Sequence, residues 1–196
     1  AVAFHGSDAV QMISIHEDKR WPFTGALDDD AGGAAINIPV PRGFNDTEFD
    51  LILNDVILPA IARQNPQAIY LQCGADAVTE DPLSRLTLSN RCYVAAINAL
   101  RPMSSRLIVS GGGGYNPWSV ARAWTCVWAT LAGFDIPDGL PDPAADILRG
   151  LQWTRKAQPD ARLMTTLLDP ARTGPVSDQV RHAVATLAAR SAGSGG

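Results

Sequence analysis

Four short apolar runs separated by helix-like segments constrain the fold of this sequence more than any other feature. The runs cover residues 10–16, 34–39, 68–73 and 106–110, and Gly, Pro or Asp bounds each of them. Such runs are typical of buried strands. Strands that alternate with helices predict parallel pairing, because the connection must return the chain to the same end of the sheet. We therefore predict an α/β protein with an open parallel sheet and helices on both faces.

The segments between and after the strands predict helices and one long connection. Residues 49–61 repeat apolar side chains at i, i+3, i+4 and i+7, and Asp46 is the expected cap of that helix. Residues 88–100 predict a second helix. The Pro-, Asp- and Gly-rich stretch 134–176 predicts a surface connection with a few short turns.

Two further helices are indicated by their ends. Asn116 is a good N-cap and Pro117 suits a first helical position, so we predict a helix that continues to residue 132. Residues 179–190 predict a terminal helix, and the small residues 191–196 predict a flexible tail.

Composition narrows the class of protein. The 196 residues are 46% apolar and 18% charged, which favours one globular domain over residues 1–190. With a net charge of -4 and no basic runs, the chain has no positive electrostatic field that would attract DNA or RNA. Without a bilayer-length apolar stretch or a secretory signal, we expect no membrane association and a cytoplasmic location. Cys73, Cys92 and Cys126 are widely spaced and are expected to be reduced core residues.

The third strand ends at Asp76, close to where ligands bind in open parallel sheets, outside the carboxyl ends of the strands. A carboxylate at this place could hold a divalent cation. On position alone, an Asp at this place more often caps the turn that follows the strand. Both interpretations stay open from the sequence alone.

The fourth strand runs into the glycines of residues 111–114 and then Tyr115. Four consecutive glycines indicate that something approaches this backbone closely. Tyr115 could donate its phenol to a substrate carbonyl or oxyanion, or it could be a half-buried aromatic residue in a permissive loop. A phosphate site is disfavoured, because Asn116 occupies the place of the third fingerprint glycine and no P-loop Lys follows.

Histidine cannot complete a catalytic set. His16 ends the first strand, where a lone His is more often a hydrogen-bonded structural residue than a ligand. Amide hydrolysis on zinc needs three protein ligands, and Asp76 with a distant His16 does not supply them.

Several motifs together resemble the histone-deacetylase superfamily, and most closely its bacterial acetoin-utilisation type. They follow in the family's order and spacing over about residues 1–133, and they are AFHGS at 3–7, ISIHE at 13–17, WPFTG at 21–25, LQCGAD at 71–76, DPL at 81–83, GGGGY at 111–115 and ARAW at 121–124. The Gly-Ala-Asp block combined with the Gly-rich block ending in Tyr is highly specific. The resemblance implies an arginase/deacetylase-like fold.

The resemblance also implies a chemistry. Family members deacetylate acetyl-lysine or related amines with one zinc ion held by two Asp and one His, a water activated beside two histidines, and a carbonyl-polarising Tyr. By motif, Asp76 is similar to the second zinc Asp and Tyr115 to that Tyr. The implied substrate-binding residues are Trp21, Pro22, Leu83, Gly113 and Gly114.

Backbone groups in this family often hold structural K⁺ or Na⁺. The positions that match are Phe4, Ser7, Val10, Ser14 and Ile15.

Two departures from the family pattern matter. The block with the first zinc Asp and the zinc His should stand just before Ala1, with the tandem histidines farther upstream. We therefore expect a C-terminal portion truncated at its N-terminus, which needs that missing portion as a partner and is inactive alone. In addition, Phe23 follows Pro22 where many members have Gly, which puts the substrate class in question.

Two hypotheses from different classes follow. The first is part of a zinc-dependent amidohydrolase that removes acetyl groups from acetyl-lysine or small acetylated amines. The alternative is a catalytically inert stand-alone α/β domain that binds a partner or small ligand through residues 111–115.

Overall fold

The computed structural model describes residues 2–155 and 159–193, which form two compact units. The first unit holds residues 2–66 and 173–193, and the second holds 67–155 and 159–172. Strands and helices are β1 (Met12–Glu17), β2 (Ala35–Val40), α1 (Asp46–Ile52), α2 (Leu58–Gln64), β3 (Ile69–Cys73), α3 (Arg91–Leu100), β4 (Leu107–Gly111), α4 (Pro117–Ala132), α5 (Asp142–Arg149) and α6 (Asp178–Gly193). Among the described residues, no helix has the length and apolar character that crossing a bilayer requires.

The predicted α/β class is confirmed, with each unit containing one parallel strand pair. In the first unit β1 pairs with β2, and the register runs from Met12 opposite Ala35 to Glu17 opposite Val40. In the second unit β3 pairs with β4, from Ile69 opposite Leu107 to Cys73 opposite Gly111. All four strands therefore lie within two residues of the predicted runs, because local apolar patterning and flanking turn residues define strand ends.

The predicted helix 49–61 of the first unit is present but is not continuous α-helix. A π-helical segment, Leu53–Ile57, joins α1 to α2. The predicted cap at Asp46 is wrong, because Asn45 is the N-cap and its side chain accepts a hydrogen bond from the Glu48 N–H at 3.2 Å. The Glu48 carboxylate in turn accepts a hydrogen bond from the Asn45 N–H at 3.1 Å, which completes a capping box and leaves Asp46 in the first turn.

The strands of the second unit are covered by helices on one face. Cys73 packs with Ile97 of α3 and Val127 of α4 in a buried cluster. Alternate residues point to the opposite face, where Tyr70 and Ile108 are largely exposed. The Tyr70 hydroxyl donates to Ser110 Oγ at 2.8 Å on that face.

Three sequence predictions for the second unit meet different outcomes. Helix α4 has Asn116 as its N-cap and begins at Pro117, as predicted. Helix α3 begins at Arg91 instead of residue 88, because Leu88 forms a parallel bridge with Val78 and its backbone is therefore unavailable to the helix. The connection 134–176 contains a two-turn helix, α5, whose Ala145 and Leu148 are buried, so short turns were an incomplete description.

The terminal helix is longer than predicted. Helix α6 continues to Gly193, so the first three residues of the predicted flexible tail are helical. Residues 194–196 lie outside the described residues.

Candidate active site

The carboxyl ends of β3 and β4 bring two sequence-predicted residues to one edge. Asp76 follows β3 and Tyr115 follows β4, and the parallel register places Cys73 opposite Gly111 at the last pair. The turns beyond the strands also touch, because the Ala75 N–H donates to the Gly113 carbonyl at 2.6 Å. Asp76 and Tyr115 therefore lie in neighbouring turns at a single edge of the sheet.

The glycine run is explained by close approach of the protein's own side chains. A Cβ on Gly113 would lie 2.2 Å from Asp76 Oδ2, and a Cβ on Gly112 would lie 2.7 Å from Gln72 Nε2. A Cβ on Gly111 would lie 2.6 Å from the Trp124 ring. Real Cβ atoms essentially never come within 3.0 Å of another atom, so the loop accepts no larger residue without displacement of its neighbours.

Asp76 is half-buried without a compensating positive charge. Burial raises the pKa of its carboxyl group; a hydrogen bond from its own backbone N–H opposes the shift, and the Asp81 carboxylate adds to it. Within the described part of the second unit, no Lys, Arg or His forms an ion pair with Asp76. The N-cap of the 3-10 turn Ala75–Ala77 is Gly74, and Asp76 lies within that turn.

Two side chains from helices hold the end of β3, just before Asp76. The Tyr93 hydroxyl donates to the Gly74 carbonyl at 2.5 Å, and the Trp124 indole N–H donates to the Cys73 carbonyl at 3.0 Å. Burial, followed by the nearby Asp76 carboxylate, raises the pKa of Tyr93 well above its usual range. Tyr93 therefore keeps its proton and remains a donor to this turn.

Tyr115 presents its side chain outward while its backbone is fixed. The side chain is 52% exposed, and its hydroxyl hydrogen-bonds to no described residue of the second unit. The Tyr115 N–H donates to Asp81 Oδ2 at 2.7 Å. The next residue, Asn116, caps α4 and donates from its amide to the Glu80 carbonyl at 3.1 Å. The phenol is thus available to a ligand, while hydrogen bonds hold the backbone that carries it.

Asp81 and Tyr93 contact this edge although sequence reasoning gave neither a role. Asp81 is 5% exposed, and its Oδ1 accepts the Leu83 N–H at 2.8 Å. The Asp-Pro-Leu block was visible, and an Asp whose side chain accepts the N–H two residues later forms an Asx-turn, a pattern that could have indicated Asp81. No local signal indicated Tyr93, since its partner lies 19 residues earlier in the chain.

Trp21 and Pro22 lie in the first unit, on an exposed loop. Trp21 is 83% exposed and is joined to Pro22 by a cis peptide bond. His16 anchors the loop, because its Nε2 hydrogen-bonds to the Gly25 carbonyl at 2.9 Å and its Nδ1 to Ser14 Oγ at 3.0 Å. The structural interpretation of His16 is therefore confirmed.

The positions matched to structural cations are also in the first unit. The Ser7 hydroxyl accepts the Ala9 and Val10 N–H groups, both at 3.2 Å, and the Phe4 carbonyl accepts the Ser7 N–H at 3.0 Å. Ser14 and Ile15 lie within β1. Ion binding at these five positions stays a prediction.

A complete metal site is not formed by the described residues alone. In residues 2–155 and 159–193, no group of three or more His, Cys, Asp or Glu side chains is arranged to hold a metal ion. Asp76 is thus a single candidate ligand at the edge of β3.

Comparison with known proteins shows which family the chain resembles. The family model described as "Histone deacetylase domain" matches residues 1–131. Histone deacetylase 9 of Arabidopsis thaliana is 32% identical over 146 residues, which are 71% of this chain and 34% of that protein. Histone deacetylase 1 of Homo sapiens is 31% identical over 144 residues, which are 71% of this chain and 30% of that protein.

Solved structures are similar over almost the whole chain. The crystal structure of an HDAC homolog from Aquifex aeolicus has a TM-score of 0.84 and 32% identity, and the match covers 95% of this chain and 52% of that one. An HDAC homolog complexed with SAHA has a TM-score of 0.79 and 29% identity over the same shares. The chain thus spans about a third of the relatives' length and about half of these structures.

Proposed function

The chain belongs to the histone deacetylase family, and from that premise we propose that it supplies part of the active site of a zinc-dependent deacetylase. The proposed substrate is acetyl-lysine or a small acetylated amine, as the resemblance to the acetoin-utilisation type suggests. One observation carries the proposal: the glycine loop that ends in Tyr115 packs against the Asp76 carboxylate at the carboxyl edge of β3 and β4.

Asp76 is the proposed zinc ligand. A half-buried carboxylate without an ion-pair partner is costly, and a bound cation would offset that cost. Zinc takes three protein ligands, whereas the described residues form no group of three ligating side chains, so we propose that an Asp and a His of the family's first ligand block complete the set and that the 196-residue chain alone is inactive. When bound, zinc would polarise the acetyl carbonyl as a Lewis acid.

Tyr115 is the proposed catalytic donor. Its half-exposed phenol has no described partner within its unit, so it can donate a hydrogen bond to the acetyl oxygen. Negative charge develops on that oxygen as the amide carbon becomes tetrahedral, and a prepositioned donor stabilises the transition state more than the substrate. The braced backbone of Tyr115 supports this role.

Substrate binding is proposed at Trp21, Pro22, Leu83, Gly113 and Gly114. Leu83, in the second unit, is an exposed apolar side chain that suits contact with an aliphatic acyl-amine chain, and Trp21, in the first unit, is also exposed and apolar. Structural K⁺ or Na⁺ at Phe4, Ser7, Val10, Ser14 and Ile15, and a cytoplasmic location, complete the proposal.

The test is a deacetylation assay on the full-length protein with an acetyl-lysine peptide and an acetylpolyamine. We expect turnover of at least one substrate, loss of that activity on chelation, and recovery with zinc. Asp76→Ala should lose zinc in a chelator competition, because one of three ligands is gone. The control is Asp146→Ala on α5, whose exposed carboxylate pairs with the exposed Arg149.

Two outcomes would contradict the proposal. Full activity in metal-free Asp76→Ala would remove Asp76 from the site. Absence of turnover on any acetylated amine, together with a ligand or partner whose binding depends on residues 111–115, would favour the inert-domain alternative.

A further inference from the structure

We propose that Asp81 is a positioning residue for Tyr115: its buried carboxylate holds the Tyr115 backbone and so directs the phenol toward the acetyl oxygen. The proposal rests on the function assigned to Tyr115 above. It adds a residue from a different loop, which acts through Tyr115 and does not itself touch the substrate.

The geometry of Asp81 is the first argument. The residue is 5% exposed, and its two oxygens accept backbone N–H groups from two separate loops. Oδ2 takes the Tyr115 N–H at 2.7 Å, and Oδ1 takes the Leu83 N–H at 2.8 Å. Hydrogen bonds to a charged acceptor are about twice as strong as neutral ones. One carboxylate thus fixes the proposed donor and a proposed substrate-binding residue together.

The second argument is that the contacts of the loop before Tyr115 hold its glycines, whereas the Tyr115 side chain has no described contact of its own that sets its direction. Four glycines precede Tyr115, and Gly114 adopts a φ of +148°, which L side chains rarely adopt. The Tyr115 hydroxyl has no described partner in its unit. The direction of the phenol therefore depends on the backbone contacts at Tyr115 and on the cap at Asn116.

The third argument is that the stretch carrying Asp81 is itself anchored. Glu80 pairs with Arg162, and also with Arg172 at 3.0 Å. Arg162 also forms an ion pair with the buried Asp169 at 2.8 Å. These partners all follow residue 131, where the matched family region ends. Residues 162–172 therefore support the placement of Tyr115 from outside that region.

A double-mutant cycle on the full-length enzyme tests the proposal. Asp81→Asn should lower kcat by about tenfold to a hundredfold with KM within about twofold, because a misdirected donor affects the transition state most. In a Tyr115→Phe background the same change should lower residual kcat by several-fold less than in the wild-type background, since no donor is left to direct and only the turn at Leu83 is disturbed. An equal loss in both backgrounds would mean that Asp81 is merely structural, and would overturn the proposal.

A second readout does not depend on the substrate. Amide hydrogen exchange of the peptide covering residues 111–118 should be at least about tenfold faster in Asp81→Ala, because the Tyr115 N–H loses its acceptor. Unchanged exchange would overturn the proposal whatever the activity. If Tyr115→Phe leaves turnover unchanged, the proposed function fails, and exchange alone decides the role of Asp81.

Two further variants keep the test decisive. Glu80→Gln weakens the ion pairs behind Asp81 and should give a smaller kcat loss that is likewise cancelled by Tyr115→Phe; it replaces Asp81→Asn if that variant fails to fold. Asp29→Asn is the matched control, because its carboxylate also accepts a backbone N–H, from Ala31 at 3.2 Å, in the first unit. Its kcat and its exchange at residues 111–118 should equal those of the wild type.

Discussion

Gly113→Ala should separate zinc binding from folding at the proposed site. The added Cβ would stand 2.2 Å from Asp76 Oδ2, whereas ordinary contacts begin near 3.4 Å. The carboxylate oxygen must therefore move by about 1 Å, while zinc sites tolerate deviations of only about 0.2 Å. We expect zinc affinity to fall by about tenfold to a hundredfold, as it does when the surroundings of a ligand are disturbed.

Folding should be little affected by the same change. The displaced atoms are the end of one side chain, and Gly113 does not adopt a positive φ. Replacing Gly by Ala at a compatible position also reduces the entropy of the unfolded chain, which is worth about 0.4–1 kcal/mol. We therefore expect the free energy of unfolding to stay within about 1 kcal/mol of the wild type.

The assay pairs zinc titration against a chelator with denaturant unfolding of the metal-free full-length protein. The control is Gly139→Ala in the same unit, where an added Cβ would meet only the Thr165 carbonyl, at 3.8 Å. That variant should bind zinc as the wild type does. Wild-type zinc affinity in Gly113→Ala would refute the reasoning, because it would mean that zinc does not depend on the observed position of the Asp76 carboxylate.

Three other changes test the site and its support. Tyr115→Phe should lower turnover roughly a hundredfold with little change in KM, and unchanged turnover in a steady-state assay would exclude Tyr115 as the donor. Trp21→Phe should shift the ratio of kcat/KM between a peptide and a polyamine substrate more than it lowers turnover of the better substrate. An unchanged ratio would contradict the proposed role of Trp21 in substrate binding. Burial alone would raise the pKa of Asp169, but Arg122 and hydrogen bonds from Asn90, Arg122 and Arg162 lower it overall. The ionised Asp169 should therefore contribute its full stabilisation of the folded protein at pH values above the ordinary Asp pKa of about 3.9. That contribution should be lost as the pH falls below this value. Asp169→Asn should cost about 3–5 kcal/mol at neutral pH by leaving Arg122 buried and unpaired, and a cost that does not shrink toward low pH in urea unfolding would contradict this assignment.

The accuracy of the sequence predictions follows the range of the interactions that decide each feature. Strand ends and the cap at Asn116 depend on residues a few positions apart, and both were predicted. The cap at Asn45 was missed because Asp46 is chemically equivalent as a cap, and only the backbone conformation distinguishes the two. The start of α3 was misplaced because the bridge from Leu88 to Val78 pairs residues from separate segments.

For the candidate site, the order of residues along the chain is enough to predict which side chains follow the strands, and hence that Asp76 and Tyr115 share one edge of a parallel pair. The contacts that hold them there are seen only in the folded protein: Gly113 packs against the Asp76 carboxylate, Tyr93 hydrogen-bonds to the preceding turn, and Asp81 accepts the Tyr115 N–H. Asp81 precedes Tyr115 by 34 residues. Local periodicity and caps are encoded by neighbours along the chain, whereas these contacts depend on how loops pack after the strands have paired, and no short-range pattern specifies that packing.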